Sequence, residues 1–300
     1  MNNTKCELCP RGCLALRKAG SLGICGETND IRLARAALHF WEEPTISGES
    51  GSGTVFFSGC TLKCVYCQNA DIARNKIGKV VSIERLAQIF IELQEKGANN
   101  INLVTPTHFA QQIISAIEIA KSNDLHIPIV YNTSGYESVE TIKLLSGYVD
   151  IFLTDFKYAS SELAKKYSAA FNYPEVASAA LDAMFELVGA VRLCEGDELM
   201  KRGIIVRHLL LPTHLDDSKR VIKLLSQKPY AKDIQLSIMN QYTPPYDIAS
   251  KFPELALKVT DSDYDELLDY AIDLGFENSF CQVGDTAQES FIPAFDYEGV

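Results

Sequence analysis

The sequence predicts an α/β fold, a partial, open (β/α)6 TIM-like barrel behind a Cys-rich N-terminal extension. Three observations lead there. Short apolar runs alternate with helical patterns from residue 54 onward. Six such strand–helix units can be counted, two short of the eight that close a barrel. Cysteine is crowded at the front, with Cys6, Cys9, Cys13, Cys25, Cys60, Cys64 and Cys67 all within the first 67 residues.

Taken in order, residues 1–50 carry Cys, Gly and Arg with weak periodicity. They read as an irregular segment pinned by metal, an extension distinct from the barrel and its tail over 51–300. The stretch SGESGSGT (47–54) is a flexible loop. Its glycines precede a strand rather than joining a strand to a helix, which argues against a phosphate cradle. Strands are expected at 54–58, 101–105, 127–131, 150–155, 204–211 and 234–238. Leu86, Ile89, Phe90 and Leu93 fall at helical spacing behind a Ser82 cap, and Ala110, Ile113, Ile114 and Ile117 repeat the pattern. The segment 158–188 predicts helix broken near Pro174. Thr260 and Asp263 open a late helix that Gly275 ends. The last 25 residues read as a tail packed on the barrel. Alternation of this kind implies a parallel sheet with right-handed crossovers. A flat doubly wound sheet is the alternative, and both place function at the carboxyl ends of the strands.

The chain has 300 residues, 47% of them hydrophobic, enough for a real core. Its net charge of −11, with the Lys and Arg residues scattered, repels phosphate backbones and anionic lipids. General nucleic-acid or membrane binding is therefore not expected. The opening MNNTKCELCPRGC lacks a signal-peptide core, and no apolar run reaches the roughly 18–20 residues of a spanning helix. A cytoplasmic location follows as an expectation. In a reducing compartment clustered cysteines point to metal rather than disulfides. Cys194 and Cys281 stand alone and read as buried apolar residues.

Cys60, Cys64 and Cys67 in FFSGCTLKCVYCQN form C-x3-C-x2-C on the loop leaving the first strand. Thiolates suit iron–sulfur clusters, zinc or copper(I). Structural zinc takes four ligands, and no His stands near these three. Three ligands on a four-iron cubane leave one iron open for a substrate or cofactor, a reason to set such a loop at a barrel mouth. Cys6, Cys9, Cys13 and Cys25 offer four ligands, enough to saturate a second iron–sulfur cluster or a zinc, with a metal-free or redox-active thiol cluster as the alternative. Their role is electron entry, substrate docking or the folding of a segment with little core. Polar candidates follow from strand ends: Asn132, Thr133 and Ser134 in YNTSGY, and Asp155 and Lys157 in TDFKY, which period 2 sets on one side. A structural ion pair is the plain alternative for the last two. In VRHLLLP, alternation lets only one of Arg207 and His208 face inward. Gln241 in QYTPPY is a further candidate.

C-x3-C-x2-C after the first strand of a partial (β/α)6 barrel resembles the radical S-adenosylmethionine (SAM) superfamily. CELCPRGC, PTHF, VRHLLLP and the P-x-FDYEGV ending narrow the resemblance to the PflX-type branch of its pyruvate formate-lyase activating enzyme-like group. The resemblance implies that Cys60, Cys64 and Cys67 hold a [4Fe–4S] cluster as the catalytic ligands, with SAM chelating the open iron. One electron breaks the C5′–S bond, and the 5′-deoxyadenosyl radical removes hydrogen from a substrate. It also implies a reducing donor such as flavodoxin or ferredoxin, and a protein substrate, a glycine of a partner glycyl-radical enzyme. Another peptide or small-molecule substrate, or a non-catalytic iron–sulfur electron carrier, stands as the alternative. Tyr66 is similar to the family's adenine-side contact, and Asp155 and Lys157 to its Asp-x-Lys. Where activases of this type carry a Gly-Gly-Glu-like stretch, this chain has VTPTH, so Thr105, Thr107 or His108 would take over the SAM amine. Asn132, Ser134 and Arg207 complete the expected cofactor-binding set.

Overall fold

The computed structural model describes residues 5–74, 77–196, 198–276, 279–281 and 293–300. Its strands are β1 (Ile31–His39), β2 (Ser52–Phe57), β3 (Lys79–Val81), β4 (Ile101–Val104), β5 (Ile129–Thr133), β6 (Ile151–Asp155), β7 (Arg192–Leu193), β8 (Met200–Leu209), β9 (Gln235–Met239) and β10 (Ser279–Cys281). The helices are α1 (Pro44–Ser47), α2 (Ala70–Ala73), α3 (Ile83–Glu95), α4 (Ala110–Lys121), α5 (Val139–Leu144), α6 (Ser161–Ser168), α7 (Tyr173–Val188), α8 (Leu215–Ser226) and α9 (Asp261–Asp273). One sheet runs β10-β9-β8-β6-β5-β4-β2-β1-β3, with β7 paired on the side of β8. Every pairing from β2 to β10 along that path is parallel, and β1 is antiparallel to β2 and β3.

The parallel strands follow one another in sequence order without reversal. A doubly wound sheet needs a reversal, its switch point, so that alternative falls. The ends of the path, β10 and β3, do not pair, and the barrel is open. All six expected strands are present within a few residues, and β10 adds a seventh parallel strand. The strands read as continuous apolar runs because helices cover one face and the barrel interior the other. In β2 and β5 every residue is buried.

The helices end as their sequences direct. Ser82 Oγ accepts from the Arg85 amide and Thr260 Oγ1 from the Asp263 amide, both at 3.1 Å, each satisfying one free donor of a first turn. The 158–188 segment breaks between α6 and α7, where Ala169 takes φ +48°. Pro174 lies inside the first turn of α7, where its missing N–H costs nothing.

Residues 1–50 are less irregular than their pattern suggests. The strand β1 pairs with β2 from Leu33↔Phe57 to His39↔Ser52, with a bulge between Leu33 and Arg35. The bulge and the run Ala34-Arg-Ala-Ala37 break the period-2 alternation that would have marked it. The C-terminal end lies against the same strand. The Ala36 amide donates to the Glu298 carbonyl (2.8 Å) and Tyr297 to Ala34 (3.2 Å). A Cβ on Gly299, at φ +73°, would run into the Ala36 carbonyl oxygen. Most of the remaining tail, 282–292, lies outside the described residues, as does the Cys281 side chain. Cys194 is half-buried rather than buried. Among the described residues no helix is long and apolar enough to cross a membrane.

Register fixes what the barrel interior contains. Thr54, Asn102, Val130 and Ile151 are successive neighbours across β2, β4, β5 and β6. Two residues on, the same faces carry Phe56, Val104, Asn132 and Leu153, and then Asp155 opposite Arg207 of β8. Ile46 of α1 closes the lower interior against Val130, Ile151, Leu153, Met200 and Ile205. Above that plug, at the carboxyl ends, stand Asn132, Asp155 and Arg207.

Candidate active site

A cavity of about 260 Å³ opens at the carboxyl ends of the parallel strands. It is lined by Cys60, Cys64, Tyr66 and Cys67 from the loop after β2, and by Thr105, Asn132, Ser134, Asp155, Lys157 and Arg207 from the strands that follow. Gln241, from the segment after β9, also lines it. Ten of the predicted residues thus come together with the further candidate Gln241, and Thr107 does not. Its side chain is buried and accepts a hydrogen bond from the Tyr131 hydroxyl (3.1 Å). His108 also turns away, its Nε2 bonded to the Ser58 carbonyl (2.7 Å). Of the VTPTH substitutes for the family's amine contact, Thr105 alone reaches the cavity, held at φ +58°.

The cysteine loop is fixed by its neighbours. Gly59, at φ +83°, turns the chain out of β2 and donates its amide to Ile72 (2.8 Å). The Val65 amide donates to the Tyr167 carbonyl on α6 (2.9 Å). Arg11 reaches in from the N-terminal segment and donates Nε to the Thr61 carbonyl (2.7 Å) and Nη2 to the Ser168 carbonyl (2.8 Å). The sulfurs themselves receive donors. The Leu62 amide approaches Cys60 Sγ at 3.4 Å, and Ser168 Oγ donates to Cys64 Sγ at 2.9 Å. Behind Ser168, Tyr158 OH lies 2.8 Å from its hydroxyl and Tyr66 OH 2.6 Å from that of Tyr158. With Ser168 donating to sulfur, this row of hydroxyls runs Tyr66, Tyr158, Ser168, Cys64.

These three thiols fit an iron–sulfur cluster on the chemistry of the donor set. They are soft ligands lining a cavity, with an N–H and an O–H already directed at the sulfurs of Cys60 and Cys64, the kind of hydrogen bond that orients thiolates and tunes a cluster. Burial pushes Cys60 up from the ordinary thiol value, with Cys64 adding to it against the Lys63 and Leu62 amides. Burial likewise pushes Cys67 up to about 12. Protons must therefore leave when metal binds.

The same cavity is lined by a charged set. Lys157 Nζ donates to Asp155 Oδ2 (2.6 Å) and Arg207 Nε to Asp155 Oδ1 (3.0 Å). Arg207 also donates to Asn132 Oδ1 (2.8 Å) and Glu42 Oε2 (3.3 Å). Burial alone would raise the Asp155 pKa, but Lys157 and then Arg207 more than reverse it, and the carboxyl sits below its usual range. Burial would likewise depress Lys157, but Asp155 and Cys64 hold its ammonium charged. Asp155 and Lys157 are therefore an ion pair and also wall residues. His208 points to the helix layer, with Nδ1 on the Phe156 carbonyl (2.7 Å) and Nε2 on Ser218 Oγ (2.8 Å).

Sequence reasoning missed His39, Trp41 and Glu42, which line the cavity from the end of β1 and the turn after it. It also missed Gln68 and Asn69, directly after the last cysteine. Gly135 is a hidden determinant. It takes φ +77°, and a Cβ there would strike the Asp155 carbonyl oxygen and stand 3.1 Å from the Tyr173 hydroxyl. Gly135→Ala is expected to cost at least about 1–3 kcal/mol of stability, the scale of a residue forced into a left-handed conformation. Thermal denaturation of the variant checks this, and an unchanged midpoint would contradict the assigned close approach.

Residues 54–194 match the family model described as the Radical SAM superfamily. The chain is 29% identical over 276 residues to the uncharacterized protein MJ0674 of Methanocaldococcus jannaschii, covering 89% of this chain and 74% of that one. It is 22% identical over 184 residues to the pyruvate formate-lyase-activating enzyme of Clostridium pasteurianum, covering 60% of this chain and 70% of that one. A crystal structure of Streptococcus suis SuiB bound to S-adenosylmethionine matches 71% of this chain at 13% identity and a TM-score of 0.44. The match spans 42% of that structure's chain, less than half of its length.

Proposed function

We propose, for a chain whose residues 54–194 form a Radical SAM superfamily domain, an enzyme that cleaves S-adenosylmethionine reductively and directs the resulting radical at a substrate. The observation that carries this reading is the shared cavity. Three thiols face it from the loop after β2, and Asp155, Lys157 and Arg207 face it from β6, β8 and their ends. Superfamily membership implies a [4Fe–4S] cluster and SAM as cofactors.

Cys60, Cys64 and Cys67 would hold the cluster. When bound, it would supply the single electron for reductive cleavage of the C5′–S bond of SAM, the source of a 5′-deoxyadenosyl radical. The work of the chain is to bind, orient and shield. Lys157 and Arg207 supply positive charge for the SAM carboxylate, and Asp155 an acceptor for ribose hydroxyls. Asn132 and Ser134 add hydrogen-bonding groups, and Thr105 accepts from the amine. Tyr66, its ring held among Tyr158, Tyr167 and Tyr242, forms the adenine side. A second metal site at Cys6, Cys9, Cys13 and Cys25 belongs to the same reading, as an iron–sulfur cluster or zinc.

The similarity to an activating enzyme supports a backbone glycine of a partner protein as the hydrogen donor, with flavodoxin or ferredoxin as the electron source. Anaerobically reconstituted protein given dithionite and SAM is expected to release 5′-deoxyadenosine. An electron carrier would be reduced and re-oxidised with SAM intact. Deuterium carried from a labelled substrate into 5′-deoxyadenosine identifies that substrate, and transfer from a labelled small metabolite would displace the glycine reading.

A further inference from the structure

The catalytic reading uses only part of the cavity. Its residues come from the loop after β2 and from the carboxyl ends of the strands. His39, Trp41 and Glu42 line the same cavity from another direction. They stand before residue 54, where the family match begins. Because β1 is antiparallel to β2, His39 pairs with Ser52 at the start of β2, whereas Cys60 follows its end. Trp41 and Glu42 therefore enter from the foot of β2, away from the thiols.

This end is tied firmly to the barrel. The Glu42 amide donates to Ser47 Oγ (3.0 Å). Thr45 Oγ1 donates to Gln235 Oε1 on β9 (3.1 Å), and Asn100 Nδ2, just before β4, donates to the Ile46 carbonyl (2.8 Å). Around it the cavity wall is apolar, with Phe56, Val104, Leu209 and Met239 from β2, β4, β8 and β9. Trp41 lines the cavity and still leaves its surface 55% exposed.

The carboxylate of Glu42 is held at long range. Arg207 Nη1 stands 3.3 Å from one oxygen and Asn132 Nδ2 3.4 Å from the other, outside the usual range of about 2.7–3.2 Å. An ionised carboxylate has about four acceptor positions, so Glu42 keeps capacity for a further donor. Nothing at this end invites an anion. Arg207 is engaged more closely by Asp155 (3.0 Å) and Asn132 (2.8 Å). Lys157 is paired with Asp155. Burial holds His39 below the ordinary imidazole pKa, against the pull of Glu42, so its ring adds no positive charge. Glu43 is buried beside Glu42 and brings a further carboxyl within range of Arg207.

We propose that the Trp41–Glu42 end of the cavity receives the substrate by an alkylammonium group. The ammonium donates to Glu42 beside the Trp41 indole, the strongest aromatic partner for a cation. The alkyl chain lies along Phe56, Val104, Leu209 and Met239. Such an ammonium comes from a free amine or from a lysine side chain of a polypeptide. That the occupant is the substrate rests on the proposed cleavage of SAM, whereas the binding of an ammonium at this end does not.

Trp41 is the chain's single tryptophan, so its fluorescence reports on this end alone. Reconstituted protein saturated with SAM is titrated with n-hexylamine, hexan-1-ol and hexanoate. The amine is expected to change the Trp41 emission saturably, at concentrations at least about tenfold below those of the alcohol, the scale of one hydrogen bond to a charged group. Hexanoate is expected to act no better than the alcohol. Equal responses to amine and alcohol, or a stronger one to hexanoate, overturn the proposal, and this comparison needs no variant. Glu42→Gln keeps the shape and removes the charge, and should bring the amine to the level of the alcohol. An undiminished preference for the amine in that variant overturns the role of Glu42. Nα-acetyl-lysinamide separates the two sources. A response at lower concentration than hexylamine assigns the ammonium to a polypeptide lysine, and a weaker one assigns it to a free amine. If SAM alone saturates the emission change and the amine adds nothing, this end belongs to the cofactor and the proposal fails. If dithionite and SAM yield no 5′-deoxyadenosine while the preference for the amine persists, the cleavage reading and the substrate role fall together and the ammonium site stands.

Discussion

Replacing Cys64 by alanine is expected to abolish the formation of 5′-deoxyadenosine and the uptake of iron at the cavity, while leaving the fold in place. The loss is total because the site has three thiols and no spare. Among the described residues no other cysteine lines the cavity, and Cys25, hydrogen-bonded to the loop, meets it with its carbonyl rather than its sulfur. Two ligands cannot hold a cubane against its loss to solvent. The fold survives because Cys64 contributes one small side chain to a large core whose neighbours, Tyr66, Tyr158 and Tyr167, are fixed by one another. Ser168→Ala gives the graded companion result. It removes the hydroxyl that donates to Cys64 Sγ, and losing a hydrogen bond to a metal ligand typically costs about 10–100-fold in metal affinity or activity. Iron analysis, single-turnover cleavage and thermal denaturation on the same preparations check both. Cleavage at the parent rate by Cys64→Ala would sink the ligand assignment.

The site was largely legible because a barrel converts sequence parity into geometry. Asp155 shares its side of β6 with Ile151 and Leu153, and Arg207 shares its side of β8 with Ile205, so both enter the interior above the apolar plug. The same parity sends His208 outward. Thr107 escaped this rule because it stands past the end of β4, in a short 3-10 turn at Thr107–Phe109. Beyond the strand, period 2 no longer says where a side chain points. Glu42 and Trp41 escaped for a different reason. They follow β1, whose bulge and alanine run hid it from pattern reading, so nothing placed them near the cavity. The Cys25–Cys60 contact joins residues 35 positions apart through backbone atoms, and spacing in a sequence carries no signal for such a bond.

Asp155→Asn should lower stability by about 3 kcal/mol and weaken SAM binding more than it slows bound-state chemistry. Asp155 is the anion shared by two cations, Lys157 at 2.6 Å and Arg207 at 3.0 Å, with side-chain exposures of 13% for Asp155 and 17% for each partner. The screening that makes exposed ion pairs nearly worthless is therefore weak here. Removing one member of such a set leaves desolvated charge behind, which typically costs about 3–5 kcal/mol. Glu42, 3.3 Å from Arg207, keeps part of the compensation and places the expected loss at the lower end. Among the described residues Lys157 makes its one ion pair with Asp155 and carries most of the deficit. The acid limb of the stability curve should change as well. The Asp155 pKa is depressed in the folded chain, so its contribution is complete above the unfolded carboxylate pKa of about 3.9 and disappears as pH falls through the lower folded value. The asparagine variant lacks that proton uptake, so the stability gap between the two proteins should narrow on acidification and hold constant from pH 5 to 7. A merely structural ion pair would show the same curve with SAM affinity untouched. A cofactor-facing Asp155 requires the KM for SAM to rise while single-turnover cleavage at saturating SAM changes less, and an unaltered KM would return Asp155 and Lys157 to the role of a structural pair.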